Sequence, residues 1–290
     1  MDVWLQLTLS GLANGMVYAL VAVGFVVIYK ASDVINFAQG ELLLFGAYLA
    51  FTFIASFGLP WSLGVVATLV VSVGIALVVE RLVLRPLIGE PVISMIMVTI
   101  GLSSVMKATV NAVWGPRPRS FPAFIPVGEV RIGGAVLGTD RLITIAVAVV
   151  LLALLALFFR STRDGIAMRA IADDQQAALS MGISIRRVLA VAWSLAAASA
   201  AIGGMLLANV VGVGQEISYV GLRVFPVVIL GGLDSIPGAI VGGAIIGLLE
   251  AYTGGYVGHG LNQIVPFVVL ILVLMVRPYG LFGKVQIERV

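Results

Sequence analysis

Between Leu5 and Tyr29 the chain runs for 25 residues without one charged side chain. A helix needs about 20 mostly apolar residues to cross the hydrocarbon core of a bilayer. Further apolar runs cover 41–57, 61–79, 92–114, 142–159, 188–211 and 263–276, and the charged residues gather between them. Only 11% of the 290 residues are charged and 61% are hydrophobic, whereas a soluble domain carries about 25% charge. That deficit excludes a soluble enzyme and a disordered tail. The expected fold is an all-α polytopic membrane protein. It would be one transmembrane domain over residues 1–290, with about eight transmembrane helices plus broken or re-entrant helical arms. The first 29 residues hold no Lys or Arg. A cleaved secretory leader begins with a basic region, so the first run reads as a permanent span.

Orientation follows from where the basic residues fall. Segments 30–41, 80–90, 160–187 and 277–290 hold 11 Lys and Arg, and segments 107–141 and 212–223 hold the other 6. The positive-inside rule puts the first group, with the C-terminus, in the cytoplasm and the loop 115–141 outside. Pro116, Pro118 and Pro122 exclude a regular helix at the start of that outer loop. With 188–211 crossing outward and 263–276 crossing back, segment 224–252 must start and end on one side. Its 29 residues fall short of the roughly 40 that two crossings need. Its middle, from Gly231 and Gly232 through Asp234 to Pro237 and Gly238, is a cluster of helix breakers. Two helical arms meeting at a turn within or just across the membrane are therefore expected. Gly238, Gly242, Gly243 and Gly247 are expected on one face of the second arm, where small residues let helices approach closely.

The chemistry is sparse. With no cysteine and one histidine, neither a thiolate nor a multi-His metal site is available within the chain. His259 lies in the glycine-rich turn Gly254–Gly260 and reads as an interfacial residue. The P-loop pattern G-x-x-x-x-G-K-[ST] does not occur, so any ATPase is a separate chain. No bound cofactor is expected. The net charge of +3 reads as loop charge, not as a nucleic-acid surface.

The most polar stretch is 160–187. Asp164 can cap a helix beginning at Gly165, Asp173 or Asp174 a second one, and Gly182 fits a left-handed C-terminal stop. Apolar Ile171, Leu179, Met181 and Ile183 suit either an element resting on lipid or a knob for a cytoplasmic partner, and the residues alone do not choose.

The run Arg169–Ile183, "RAIADDQQAALSMGI", resembles the cytoplasmic loop of permease subunits of branched-chain amino acid ABC importers. Gly11–Ala50, Leu230–Ala251 and "RPYGLFGK" (Arg277–Lys284) resemble the same family, in the same order and over essentially the whole chain. Asp234 departs from the small or polar residue common there. The resemblance implies the importer-permease fold of the branched-chain amino acid and ribose type. It implies a second, LivM-like permease, two ABC ATPase subunits that hold ATP and Mg, and a periplasmic solute-binding protein, all at a bacterial inner membrane. It also implies that Arg169, Ala170, Asp173, Asp174, Ala178, Leu179, Gly182 and Ile183 contact the ATPase. The solute would be a branched-chain or other small amino acid, an amide or urea.

Polar residues within or beside spans are costly in lipid and so are pathway candidates. They are Asn14, Asn36, Gln39, Glu41 and Asn209, with Lys107 and Glu250 beside them. Asn14 and Asn209 can equally bridge helices, and Glu41, Lys107 and Glu250 can snorkel from run ends. Two rival readings stand. A secondary transporter driven by an ion gradient suits broken helices, although central charges are few. A passive channel has only the 231–238 break in its favour.

Overall fold

The structure, a computed structural model, describes residues 3–122, 128–132, 135–258 and 260–283. His259 and Lys284 lie outside the described residues. Among the described residues, seven helices are long and apolar enough to cross a membrane. They are α1 (Val3–Ser32), α2 (Gln39–Ala50, extended by a π-helical turn to Ser56), α3 (Trp61–Val79), α4 (Val92–Trp114), α5 (Thr139–Ser161), and, after two short helices, α8 (Ile185–Val211) and α10 (Ile236–Tyr256). The short ones are α6 (Arg163–Asp173) and α7 (Gln175–Ser180). The shorter apolar helices α9 (Glu216–Gly231) and α11 (Val265–Val276) complete the helical set, and an antiparallel hairpin of β1 (Glu129–Ile132) and β2 (Ala135–Gly138) precedes α5.

The helices form an inner and an outer set. The apolar window of α1 is 83% buried and those of α2 and α8 are 67% buried, but that of α4 is only 11% buried. Val66 and Val70 of α3, Ile93 and Met97 of α4, Leu154 and Leu157 of α5, and Ile271 and Leu272 of α11 are exposed. An apolar exterior of this extent on a single chain is a surface for lipid or protein.

Three expectations need correction. The apolar run 61–79 stops at the charged Glu80 and Arg81, but the third helix does not. It continues through a π-helical turn, Glu80–Leu84, and a 3-10 turn, Arg85–Leu87. The wider i→i+5 turn brings Arg85 back onto the buried Glu80, with two hydrogen bonds of 3.1 and 2.9 Å. Second, the arms of the 224–252 segment are longer than reckoned. They start at Glu216 and end at Tyr256, and α10, with 21 residues, is by itself long enough to cross. Their turn falls at Gly232–Ser235, at the end of the bundle that also carries α6, α7 and the C-terminal segment. The first arm begins among the polar residues Gln215 and Glu216, which a helix start tied to its neighbours tolerates: Gln215 donates to Asn111 at 2.8 Å.

Third, the four glycines of α10 serve two faces, not one. A Cβ on Gly242 would stand 2.5 Å from the Val227 carbonyl of α9, and Gly238 faces Gly231. A Cβ on Gly243 would stand 2.5 Å from the Gly15 carbonyl of α1, and one on Gly247 2.5 Å from the Gly15 Cα. So α10 is wedged between α9 and α1 at backbone contact. In lipid, where apolar burial gives helices no special reason to associate, such close approach supplies the packing.

Replacing Gly243 by Val should force α1 and α10 apart, because the obstructing atoms are backbone and cannot rotate away. Overpacking of this kind costs about 1–3 kcal/mol or more. Thermal unfolding of the purified protein in lipid nanodiscs should show a lowered midpoint, and an unchanged midpoint would contradict the wedge.

Candidate functional site

The polar break after α1 is not a surface loop. Residues 34–38 turn back into the bundle: Val34, Asn36 and Ala38 are buried, and Gln39 and Glu41 at the start of α2 are buried too. The backbone can enter because its polar groups find partners. The Asn36 Oδ1 accepts from the Ala38 N–H at 3.0 Å, and the Phe37 N–H donates to Thr99 Oγ1 at 3.3 Å. The Asn36 Nδ2 donates to Gln39 Oε1, and Gln39 Nε2 donates to the Ala196 carbonyl of α8, both at 3.3 Å. Gly24 leaves the room that the Gln39 amide fills. Asn36 and Gln39 are thus occupied in holding this turn.

Glu41 differs from them. It lies 3% exposed, level with Ser103, the middle residue of α4. Its Oε1 accepts from Ser218 at 2.6 Å and from Ser103 at 3.2 Å, and Lys107 Nζ lies 3.9 Å away. Its Oε2 is buried without a hydrogen-bond partner. Lys107 does not snorkel to the helix end. It reaches inward, with Nζ 5.2 Å from the centroid of the Tyr219 ring. Together these groups line a cavity of about 100 Å³ with Phe25, Phe37, Leu222 and Phe225. Phe37 stacks on Phe225 at 5.7 Å, and Phe25 meets Phe225 edge-on at 6.1 Å. Gly40 and Gly221 allow α2 and α9 to touch here, since a Cβ on Gly40 would stand 2.5 Å from the Ser218 carbonyl. Pro226, inside α9, has no N–H to offer the Leu222 carbonyl, so one regular helical bond is missing there.

Ser103, Ser218, Tyr219 and the phenylalanines were not read from the sequence. A signal was present: Ser103 and Lys107 are four apart on α4, as are Ser218 and Leu222 on α9, so each pair shares a helix face. The other candidates lie elsewhere. Asn14 is exposed on α1. The Asn209 Oδ1 is buried without a partner near the end of α8. Glu250 is buried in α10, accepts from Tyr18 Oη at 2.7 Å, and has Arg223 nearby.

The stretch 160–187 folds as two helices between α5 and α8. The cap of α6 is Thr162, not Asp164: its Oγ1 accepts from the Gly165 N–H at 3.0 Å. A hydroxyl one residue before the helix reaches that donor, whereas Asp164 lies within the first turn and pairs with Arg187 at 2.9 Å. Asp174 caps α7, accepting from the Ala177 N–H at 2.9 Å. Gly182, with φ +81°, lets the chain leave α7, and the Gly182 and Ile183 N–H groups bond back to the Leu179 and Ala178 carbonyls. Met168, Ile171 and Ala178 are buried against the bundle. Leu179 and Met181 are not: Met181 is 84% exposed. Arg169, Asp173 and Asp174 are exposed and Ala170 is half-buried.

This element meets the helix break. A cavity of about 350 Å³ is lined by Tyr29, Lys30, Asp33, Asp173, Asp234 and Tyr279, among others. A neighbouring one of about 330 Å³ brings Arg169 beside Asp234 and Pro237. Partial burial here raises the Asp33 carboxyl above its ordinary pKa. The C-terminal segment closes the break, because the Leu281 and Phe282 N–H groups donate to the Leu230 and Gly231 carbonyls at 2.8 and 3.1 Å. Gly232, with φ +103°, packs on Gly283. The two sets of residues read from sequence as coupling loop and helix break are therefore neighbours. Among the described residues no cluster of His, Cys, Asp and Glu could hold a metal ion.

Comparison with known proteins accounts for this architecture. In fold, the chain is similar to a chain of PsaBC from Streptococcus pneumoniae, solved in complex with Fab, with a TM-score of 0.54, 18% identity, and coverage of 96% of this chain and 93% of that one. It is 33% identical to the high-affinity branched-chain amino acid transport system permease protein LivH of Escherichia coli K12, over 99% of this chain and 98% of that protein. It is 32% identical to BraD of Pseudomonas aeruginosa over the same shares. A LivH-type protein of Methanocaldococcus jannaschii is 27% identical over 91% and 88%. The family described as branched-chain amino acid transport system / permease component matches residues 7–274, and the chain belongs to that family.

Proposed function

We propose that the chain forms half of the translocation pathway of an ATP-driven importer for branched-chain or similarly small amino acids, with ATP and Mg held by separate ATPase subunits. The observation that carries this is the α6–α7 element. It is clamped to the bundle through Met168, Ile171 and Ala178 yet presents Leu179 and Met181 outward. An element that rested on lipid through its apolar side would not spend half of that side on the bundle. In this reading α6 and α7 dock an ATPase at the cytoplasmic face, through Arg169, Ala170, Asp173, Asp174, Leu179, Gly182 and Ile183, whereas Ala178, expected among them, is buried and instead holds α7 to the bundle. A push there reaches the α9–α10 break directly, since Asp173 and Asp234 line one cavity. Packed helices respond by switching between discrete arrangements, not by gradual bending.

A second, LivM-like permease covers the face of α4 and α9 that carries Lys107 and Tyr219. The support is energetic: a partly exposed lysine near mid-span is costly against lipid, so protein or water must lie there. A periplasmic solute-binding protein docks at the opposite end, where Arg119 and Val213 exchange two backbone hydrogen bonds of 2.8 Å. The setting is a bacterial inner membrane, with the C-terminus cytoplasmic.

Arg169→Glu, Asp173→Lys and Met181→Asp should each abolish uptake while membrane insertion stays normal. An exposed side chain such as Met181 contributes within about ±0.5 kcal/mol to the stability of the isolated chain. Normal uptake in all three variants would remove the docking assignment. Uptake should also survive a protonophore while ATP is maintained, and collapse under those conditions would favour an ion-gradient transporter.

A further inference from the structure

We propose that the cavity between α1, α2, α4 and α9 is a binding site for the zwitterionic head of an α-amino acid, with Glu41 taking the ammonium group and Lys107 the carboxylate. The proposal rests on the importer reading and goes further by naming the groups that recognise the solute.

The pair Glu41–Lys107 is poorly suited to a purely structural role. A structural ion pair in a bundle interior is close, about 2.7–2.9 Å, with its remaining lone pairs satisfied, because a half-satisfied buried network costs more than an apolar one. Here the separation is 3.9 Å, Lys107 stands 38% exposed at the edge of the bundle, and Glu41 Oε2 is buried with no partner. Both hydroxyls, of Ser103 and Ser218, are spent on Oε1. That fixes the carboxylate and leaves Oε2 for a donor from elsewhere. Lys107, held over Tyr219, has donors for an anion.

One carbon that carries both an ammonium and a carboxylate can satisfy the two protein charges at once. The rest of the wall is apolar, formed by Phe25, Phe37, Leu222 and Phe225, so an aliphatic side chain is favoured over a charged one. A ligand that replaces a loose pair by two ligand–protein pairs gains little net energy, which suits a site that must also release its cargo.

The test uses the complex purified from native membranes into nanodiscs without its solute-binding protein. Binding of radiolabelled leucine would be measured and competed with 4-methylpentanoate, which lacks the ammonium, and with 3-methylbutylamine, which lacks the carboxylate. Both should compete at least tenfold more weakly than unlabelled leucine. Glu41→Gln should narrow the preference for leucine over 4-methylpentanoate and leave that over 3-methylbutylamine largely in place. Lys107→Met should do the reverse. That crossed pattern is one a merely structural role would not produce. If Glu41→Gln does not fold, the half-exposed Lys107 carries the test through its own arm. Equal losses toward all three ligands would overturn the proposal in favour of a scaffold role. Absence of leucine binding, in a complex that still imports leucine when the binding protein is restored, would overturn the site and leave the importer reading intact. A wild-type complex that imports no amino acid would fail at the importer reading itself.

Discussion

Helix α10 sits where it does because four of its positions have no side chain. Gly238 and Gly242 admit α9, and Gly243 and Gly247 admit α1. In water, burial of apolar area would hold such helices together whatever their detailed shape. In lipid the surroundings are as apolar as the helices, and close packing must supply the attraction. The wedge fixes the angle between α9 and α10 and so the place of the break. It also positions α1, whose far end carries Lys30 and Asp33 to the same cavity.

That cavity gathers the elements at this end of the bundle. The end of α1, the end of α6, the α9–α10 break and the C-terminal segment meet there within one cavity wall. Two backbone hydrogen bonds from Leu281 and Phe282 brace the break. In "RPYGLFGK", Gly280 and Gly283 leave the space that this bracing needs. The sequence motifs at 169–183 and 230–251 and the described part of the third, 277–283, are thus three parts of one joint.

The second centre lies at mid-bundle, where charge is tolerated at a cost. Burying a carboxylate in a chain surrounded by lipid is expensive, and Glu41 is stabilised by two serines and a lysine from three other positions on α4 and α9. Its incomplete satisfaction is the sort of local inconsistency that packing alone would have removed. It persists beside a cavity, flanked by aromatic rings. Asn36 and Gln39, only a few residues away, are fully engaged with the backbone and α8. Neighbours in sequence therefore do different work: two hold a turn, and one faces a space.

Much of the architecture was legible in the order of residues. Apolar runs gave the spans because each must be about as long as a bilayer is thick. Glycine and proline gave the break at 231–238, because backbone sterics are local. Asp174 and Gly182 marked the ends of α7 for the same reason. What failed needed neighbours distant in the chain. Glu80 and Arg85 lie past the end of the apolar run 61–79, and only the structure shows the π-helical turn that pairs them. Residues 34–41 break the apolar pattern, and their entry into the bundle depends on hydrogen bonds that α4 and α8 supply. Glu41 stood open between a pathway group and a snorkelling end residue, and only the tertiary structure brought Ser103, Lys107 and Ser218 to it. Length, hydropathy and breakers act along the chain and can be read from it. The partners of a buried polar group are set by which helices pack together, and the fold alone decides that.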